Sequence, residues 1–317
     1  MSTKLVSICC ITYNHAPYIR QCLEGFLMQK TTFPFEIIIN DDCSTDGTTE
    51  IIKEYADKYP DLFVPIFHEE NQYQKGVRGI YAKFVYPKVR GKYIALCEGD
   101  DYWIDPLKLQ KQVDFLESHP EYGLCYTKVQ IFYQKKRKFG DEWGGNAITF
   151  TELLINNTIP TLTCVIRRSL LQNYTDDIKP TSRGWKMGDY PLWLYIASKT
   201  KVKYLPFTSG CYRILDNSIS HSTNIVKQLE FVRSSIEIAL YFARRENIHG
   251  KLLNILSLRI SQIDLQLSIL KKDKTSIHKN RMKMLKKMNL SFPLRQNLKT
   301  ILLALAPRKY IVILNKY

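Results

Sequence analysis

No stretch of about 18 apolar residues occurs anywhere in the 317-residue chain, which excludes a conventional membrane-spanning helix. Cysteine is never spaced as Cys-x-x-Cys, and no cysteine–histidine cluster has zinc-site spacing. Cys9, Cys10, Cys97, Cys125 and Cys164 lie instead in apolar, strand-like runs, where a free thiol behaves as a small hydrophobe. Those positions argue against both disulfides and zinc. Glycine is missing from ITYNHAPY (11–18), the turn after the first strand-like run, so a glycine-rich phosphate loop is excluded there. The opening MSTKLVSICC runs straight into that strand without the cleavage region of a secretory signal. The expected location is therefore the cytoplasm.

Negative charge is scarce in one part of the chain only. From Ile225 to Tyr317 there are 19 Lys and Arg against 5 Asp and Glu, whereas residues 1–224 hold 27 against 25. The overall net charge of +16 thus sits almost wholly in the last third, which points to an anionic partner for that part. With 45% hydrophobic and 12% aromatic residues, the chain can bury a sizeable core.

The first half alternates strand and helix signals. Residues 5–12, 35–40, 62–68 and 92–98 read as short buried strands. Between them lie a helix carrying Ile19, Leu23, Phe26 and Leu27 on one face, a second helix capped by Asp46 and running to Lys58, and a third over 79–89. Asp105-Pro106 supplies an N-cap and first-turn proline for a helix reaching Ser118. Such alternation predicts a mainly parallel sheet with helices on both faces, with ligands bound beyond the carboxyl ends of the strands. Residues 122–133, 161–168 and 201–207 read as further strands, and 189–200 as a helix. After about residue 225 only helical periodicity remains.

The acids fall where that architecture would use them. Asp41 and Asp42 follow the second strand, and Asp100 and Asp101 follow the fourth, so both pairs should face one crevice. Glu98-Gly99-Asp100-Asp101 offers oxygen ligands for magnesium or manganese, which commonly bind one or two carboxylates plus substrate phosphates. Gly99 removes a side chain where the backbone would approach a ligand closely. An isolated Asp-Asp would read better as a turn cap; the second pair favours a site.

Three segments carry a family resemblance. LVSICCITYNHAPYIRQCLEGFLMQ, FEIIINDDCSTDGTTEII and GKYIALCEGDDYWIDPLKLQKQVDFLESHPEYG resemble, in order and spacing, the opening strand and helix, the Asp-rich second-strand loop and the metal-binding segment of family 2 glycosyltransferases. The resemblance spans roughly residues 4–215 and implies the GT-A nucleotide-binding fold. It also implies transfer of a sugar from a nucleotide-sugar to an acceptor hydroxyl with a divalent metal, Mg2+ or Mn2+. By matching position, Thr12, Tyr13 and Asp41 would contact base and ribose, Asp100 ribose or phosphate, and Asp101 the metal. Arg78 and Lys83, in the long NQYQKGVRGIYAK (71–83), are phosphate candidates or solvated charges. Asp189, where the family often has Glu-Asp and this chain has Gly188-Asp189, would be the general base of an inverting transfer, or an N-cap. In YRILDNSISHS (212–222), Arg213 would pair with phosphate and His221 with metal or phosphate, although the usual histidine position is Leu215. Trp103, Trp185 and Trp193 would stack on a sugar or fill the core.

The expected organisation is a GT-A domain over 1–224 and a basic α-helical extension over 225–317. Aliphatics interleaved with cations in NLKTILLALAPRKYIVILNKY (297–317) suggest a segment lying on anionic lipid at the inner face of the cell membrane, or a helical cap on the domain. Nucleic acid is not an expected partner, because aromatics are not interleaved with the tail's cations. The expected acceptor is a cell-surface polysaccharide or lipid-linked glycan. Two alternatives are a sugar-nucleotide nucleotidyltransferase, disfavoured by the missing glycine loop, and an inactive GT-A binding module, disfavoured by the retained Asp101 and Asp189.

Overall fold

A computed structural model describes residues 4–145, 147–215 and 224–287. They fall into two compact units, one formed by residues up to Leu215 without Trp185–Met187, the other by those three residues and the described residues from Asn224 onward. The first unit is built on a nine-stranded sheet. Its strands are β1 (Val6–Thr12), β2 (Phe35–Asp41), β3 (Phe63–Phe67), β4 (Tyr93–Glu98), β5 (Tyr102–Trp103), β6 (Tyr122–Tyr133), β7 (Lys138–Trp143), β8 (Val165–Arg167) and β9 (Lys201–Ile214). They are ordered β3-β2-β1-β4-β8-β6-β9-β5, with β7 attached to β6.

β3, β2, β1 and β4 are mutually parallel, as the strand–helix alternation predicts. Their connections are the helices α1 (Ala16–Leu27) and α2 (Thr48–Lys58) and an irregular crossover. Beyond β4 the sheet becomes mixed: β8 is antiparallel to β4 and β6, whereas β6 and β9 are parallel. Ile8, Ile37, Ile39, Tyr93 and Ala95 join Ile19, Leu23 and Phe26 of α1 in one buried cluster. Around the rest of the sheet lie α3 (Lys108–Ser118), α4 (Phe150–Ile155), α5 (Arg168–Ile178) and α6 (Asp189–Lys199).

Local details depart from the sequence reading. The helix expected over 79–89 is a single wide turn, Tyr81–Val85, followed by a tight turn, Tyr86–Lys88. Pro87 has no N–H to donate back to the preceding turn, and the backbone, still helical at Tyr86, becomes extended at Val89. Gly47, not Asp46, occupies the N-cap of α2. Asp46 still bonds the helix start, accepting from the Thr48 amide at 3.1 Å and, through its other oxygen, from Ala16 N at 3.0 Å. Leu107 is the N-cap residue of α3, and Asp105 accepts its amide at 2.8 Å. All eight cysteines are free thiols.

The described part of the second unit contains α7 (Ile225–Arg245), α8 (Lys251–Leu270) and α9 (Lys274–Lys287). Leu258, Leu265 and Met284 form its buried cluster. Arg233 bridges Asp264 at 2.7 Å and Glu237 at 2.6 Å. Glu230 takes hydrogen bonds from Lys186 and Lys271, which pull its pKa down to about 2. No described helix is long and apolar enough to cross a membrane. The interfacial segment expected over 297–317 lies outside the described residues.

Candidate active site

β1, β2 and β4 end at one edge of the sheet, where Thr12 pairs with Asp41 and Ile11 with Glu98. Parallel neighbours in register deliver their terminal polar side chains together, so the acids meet there because the apolar runs stop there. Asp41 is buried, and Ser44 and Thr49 donate their hydroxyls to its two oxygens. Asp42, also buried, accepts the amides of Gln72 at 2.7 Å and Tyr73 at 3.0 Å and so pins the loop after β3. Tyr13 is more exposed, and its hydroxyl accepts from Gln74 Nε2 at 3.3 Å.

The fourth strand contributes the densest charge. Asp101 is buried, and its Oδ1 accepts the Arg213 amide at 2.8 Å. Burial first, then the charges of Asp100 and Glu98, push the Asp101 pKa well up. Glu98 is raised to about 8, by its packing among protein atoms and then by Asp100 and Asp189. The charge of Asp189, on α6, is thus felt by Glu98 at the end of β4. A Cβ at Gly99 would lie 2.6 Å from Thr12 Oγ1 and 3.0 Å from His15 Nδ1, so this glycine makes room for those two side chains.

Asp189 occupies the first helical position, with Gly188 as the N-cap residue, and its Oδ1 accepts the Tyr190 amide at 2.7 Å. Its Oδ2 accepts the Thr161 hydroxyl at 2.8 Å. Gly188 thus holds the cap position, while Asp189 bonds the first-turn amide of Tyr190 with one oxygen and Thr161 with the other.

Arg213 lies near the end of β9 and is buried. One guanidinium nitrogen donates to Gln134 Oε1 at 3.3 Å and another to Gln21, while the group lies 4.6 Å from the Tyr102 ring centre and 5.2 Å from that of Tyr18. Its Nε has no hydrogen-bond partner among the described residues. A buried cationic donor without an acceptor is costly unless an anion meets it.

Not every candidate joins this cluster. Arg78 folds back on its own loop, 4.1 Å from the Tyr73 ring centre and donating to the Tyr73 and Val77 carbonyls. Lys83 is exposed, 5.2 Å from the Phe84 ring centre. Trp103 and Trp193 are core residues, the former donating to the Leu162 carbonyl at 2.7 Å, and Trp185 belongs to the second unit. His221 lies outside the described residues.

Three further residues are placed at the site without having been singled out. His15 sits 3.0 Å from Thr12 Oγ1; burial lowers its pKa, against the opposing charges of Asp100, Asp46 and Asp41. Its position just beyond a buried strand was a signal that could have been used. Gln21 and Thr161 reach the site only through tertiary packing. Among the described residues, no three His, Cys, Asp or Glu side chains form a metal-holding group.

Comparison with known proteins matches this arrangement to one family. The profile described as "Glycosyl transferase family 2" matches residues 7–175. Uncharacterized protein Rv1520 of Mycobacterium tuberculosis is 41% identical over 223 residues, 68% of this chain and 61% of that protein. The chain thus spans about three-fifths of the length of this relative. WfaP of Escherichia coli, a UDP-Glc:alpha-D-GlcNAc-diphosphoundecaprenol beta-1,3-glucosyltransferase, is 29% identical over 235 residues, 73% of this chain and 84% of WfaP. Among solved structures, S. aureus TarS 1-349 in complex with UDP-GlcNAc superposes with a TM-score of 0.57 at 17% identity, covering 89% of each chain. Mannosyltransferase PcManGT from Pyrobaculum calidifontis, in complex with GDP-Man and Mn2+, gives 0.51 at 15% identity over 97% of this chain and 82% of that one. The fold is that of GT-A glycosyltransferases, and the chain belongs to glycosyl transferase family 2.

Proposed function

We propose that the chain moves a sugar from a nucleotide-sugar to an acceptor hydroxyl with inversion at the anomeric carbon. One observation carries this reading: Asp41, Asp100, Asp101 and Arg213 meet at the carboxyl edge of the sheet, where the charge of Asp189 also acts on Glu98. Asp41, with Thr12 and Tyr13, holds the base and ribose. Asp100 meets ribose or phosphate, and Arg213 directs its unpartnered Nε at the diphosphate. Arg78 and Lys83 complete phosphate binding only if their loop closes over the donor.

The donor set fits a hard divalent cation such as Mg2+ or Mn2+. It consists of carboxylate oxygens whose pKa values are raised first by burial and then by their mutual repulsion, and a cation offsets both. Asp101 would be the protein ligand, joined by His221 and substrate phosphates. When bound, the metal neutralises the departing diphosphate. Asp189, held by Thr161, takes the proton from the attacking hydroxyl, while the buried walls around Asp101 and Arg213 keep water from the donor.

The acceptor we propose is a polysaccharide or lipid-linked glycan, by analogy with the diphosphoundecaprenol substrate in the name of WfaP. The working location is the cytoplasmic face of the membrane, with the catalytic domain over 1–224 and the basic extension over 225–317 facing anionic lipid. The test is a thermal-shift screen of nucleoside diphosphates and nucleotide-sugars, with and without manganese. A binder at a hundred times its dissociation constant adds about 2.7 kcal/mol of stability. A chain that no nucleotide stabilises in either condition overturns the reading.

A further inference from the structure

The described helices of the second unit surround a cavity of about 770 Å³ that the proposed reaction does not use. Arg233 and Glu237 of α7, Ile260 and Asp264 of α8, and Lys283 and Lys287 of α9 line it. The two residues of each pair are one helical turn apart, so a face of each helix meets along one trough. Arg244 lies two turns beyond Glu237 on the same face of α7 and joins the lining.

The charges of this lining do not balance. Five cations, Arg233, Arg244, Arg245, Lys283 and Lys287, face two acids. Both acids are engaged: Glu237 by Arg233 at 2.6 Å, and Asp264 by Arg233 at 2.7 Å and Lys283 at 3.7 Å. Arg245 bridges Glu246 at 3.7 Å. The Arg244 guanidinium makes no hydrogen bond or ion pair among the described residues. Lys287 is half-buried and donates to the Ser257 carbonyl at 3.5 Å. Burial first, then the charges of Lys283 and Arg244, lower its pKa, against the opposing charge of Asp264.

Basic residues in the last turn of a helix, as Arg244 and Lys287 are, gain from the carbonyls there. That gain explains a cation at each helix end, but not their convergence on a cavity whose acids are already paired. An anion seated among them offsets the repulsion, and phosphate oxygens accept several charged donors at once. We propose that this cavity binds a phosphate group, with Arg244 and Lys287 as its principal donors. Leu240 and Ile260 offer apolar contact to whatever the phosphate carries. This deepens the reading in which the basic extension faces anionic lipid and rests on it for a lipid headgroup as the source. A free phosphate would use the same donors.

The test uses the full chain, with EDTA present so that the sheet-edge site holds no metal. Inorganic pyrophosphate is the soluble probe, and vesicles of phosphatidylcholine with or without phosphatidic acid are the lipid probe. Pyrophosphate should raise the melting temperature of the wild type. Arg244→Gln combined with Lys287→Gln should weaken its binding by about tenfold or more, the scale of one hydrogen bond to a charged group. Arg213→Gln should bind it as the wild type does, which separates this cavity from the proposed donor site. Without EDTA, manganese-dependent nucleotide binding should persist in the double variant. Its absence from the wild type would count against the proposed reaction and leave the cavity standing. Sedimentation with phosphatidic acid vesicles, lost in the double variant and blocked by pyrophosphate, assigns the phosphate to a lipid headgroup. Pyrophosphate binding without sedimentation assigns it to a free phosphate. A wild type that binds neither probe, or pyrophosphate binding lost in Arg213→Gln and kept in the double variant, overturns the proposal. So does a double variant whose melting temperature falls equally with and without pyrophosphate, the result expected of cations that serve only helix ends.

Discussion

On one side of the sheet, β3, β2, β1 and β4 run parallel, and β1, β2 and β4 are almost wholly buried along their lengths. Their polar groups wait at the ends. On the other side, β6 and β9 are long, partly exposed and threaded with buried polar contacts. Lys108 lies fully buried there, donating to Gln112, which in turn donates to the Thr163 and Cys125 carbonyls. Thr127 and Ser209 meet at 2.6 Å. The parallel half thus places function by stopping, whereas the mixed half places it by reaching across from distant pairings. In the proposed reaction the first half holds nucleotide and metal, and the second supplies the phosphate contact and the base.

Breaking the parallel half should cost most. Asp101→Asn should lower transfer by about a thousandfold or more, since the metal's charge stabilisation is worth several kcal/mol. Manganese-dependent nucleotide binding should disappear with it, while the melting transition remains; activity retained at saturating manganese would remove Asp101 as ligand. Arg213→Gln comes next, with a fall of about a hundredfold in turnover, the usual scale for losing one preorganised charge-stabilising donor. An unchanged rate would mean its unpartnered Nε meets no phosphate. Thr161→Val should reduce turnover by roughly fivefold, the scale of one neutral hydrogen bond, without altering donor affinity. A change in donor affinity alone would assign Thr161 to binding.

Lys108 gives the smallest functional effect and a distinct pH signature. Burial lowers its pKa from 10.5 to about 8. The folded state therefore releases the proton near pH 8, whereas the unfolded chain holds it to about pH 10.5, so stability contributed by this group rises with pH across that window. In Lys108→Met this rise should be absent when denaturant unfolding is compared between pH 7.5 and pH 10, with turnover near wild type. Identical pH slopes in the two proteins would mean that Lys108 is not desolvated.

The same contrast explains what could be read from the chain before its structure. The apolar runs of β1, β2 and β4 and the acids that end them are local signals, so the parallel half and Asp41 and Asp101 at its edge were legible. Arg213 meets Asp101 across 112 positions, and Thr161 meets Asp189 across 28, so neither contact leaves a periodic trace. Resemblance, not pattern, pointed to Arg213 and Asp189. Helix starts were misplaced by one or two residues at Asp46 and Asp105, because a carboxylate can bond the first amides from a position just outside the cap. The helix over 79–89 was reduced to two short turns, and Pro87, which has no N–H to give, offered no further helical bond there.

Single-turnover transfer by Asp189→Asn, with donor affinity measured on the same protein, tests the division of labour most directly. Asn keeps the size of the side chain and can still meet the Thr161 hydroxyl, so the fold should hold. If Asp189 is the base, turnover falls by about 100- to 10,000-fold while the donor dissociation constant stays put. Donor affinity lost with turnover preserved would contradict it.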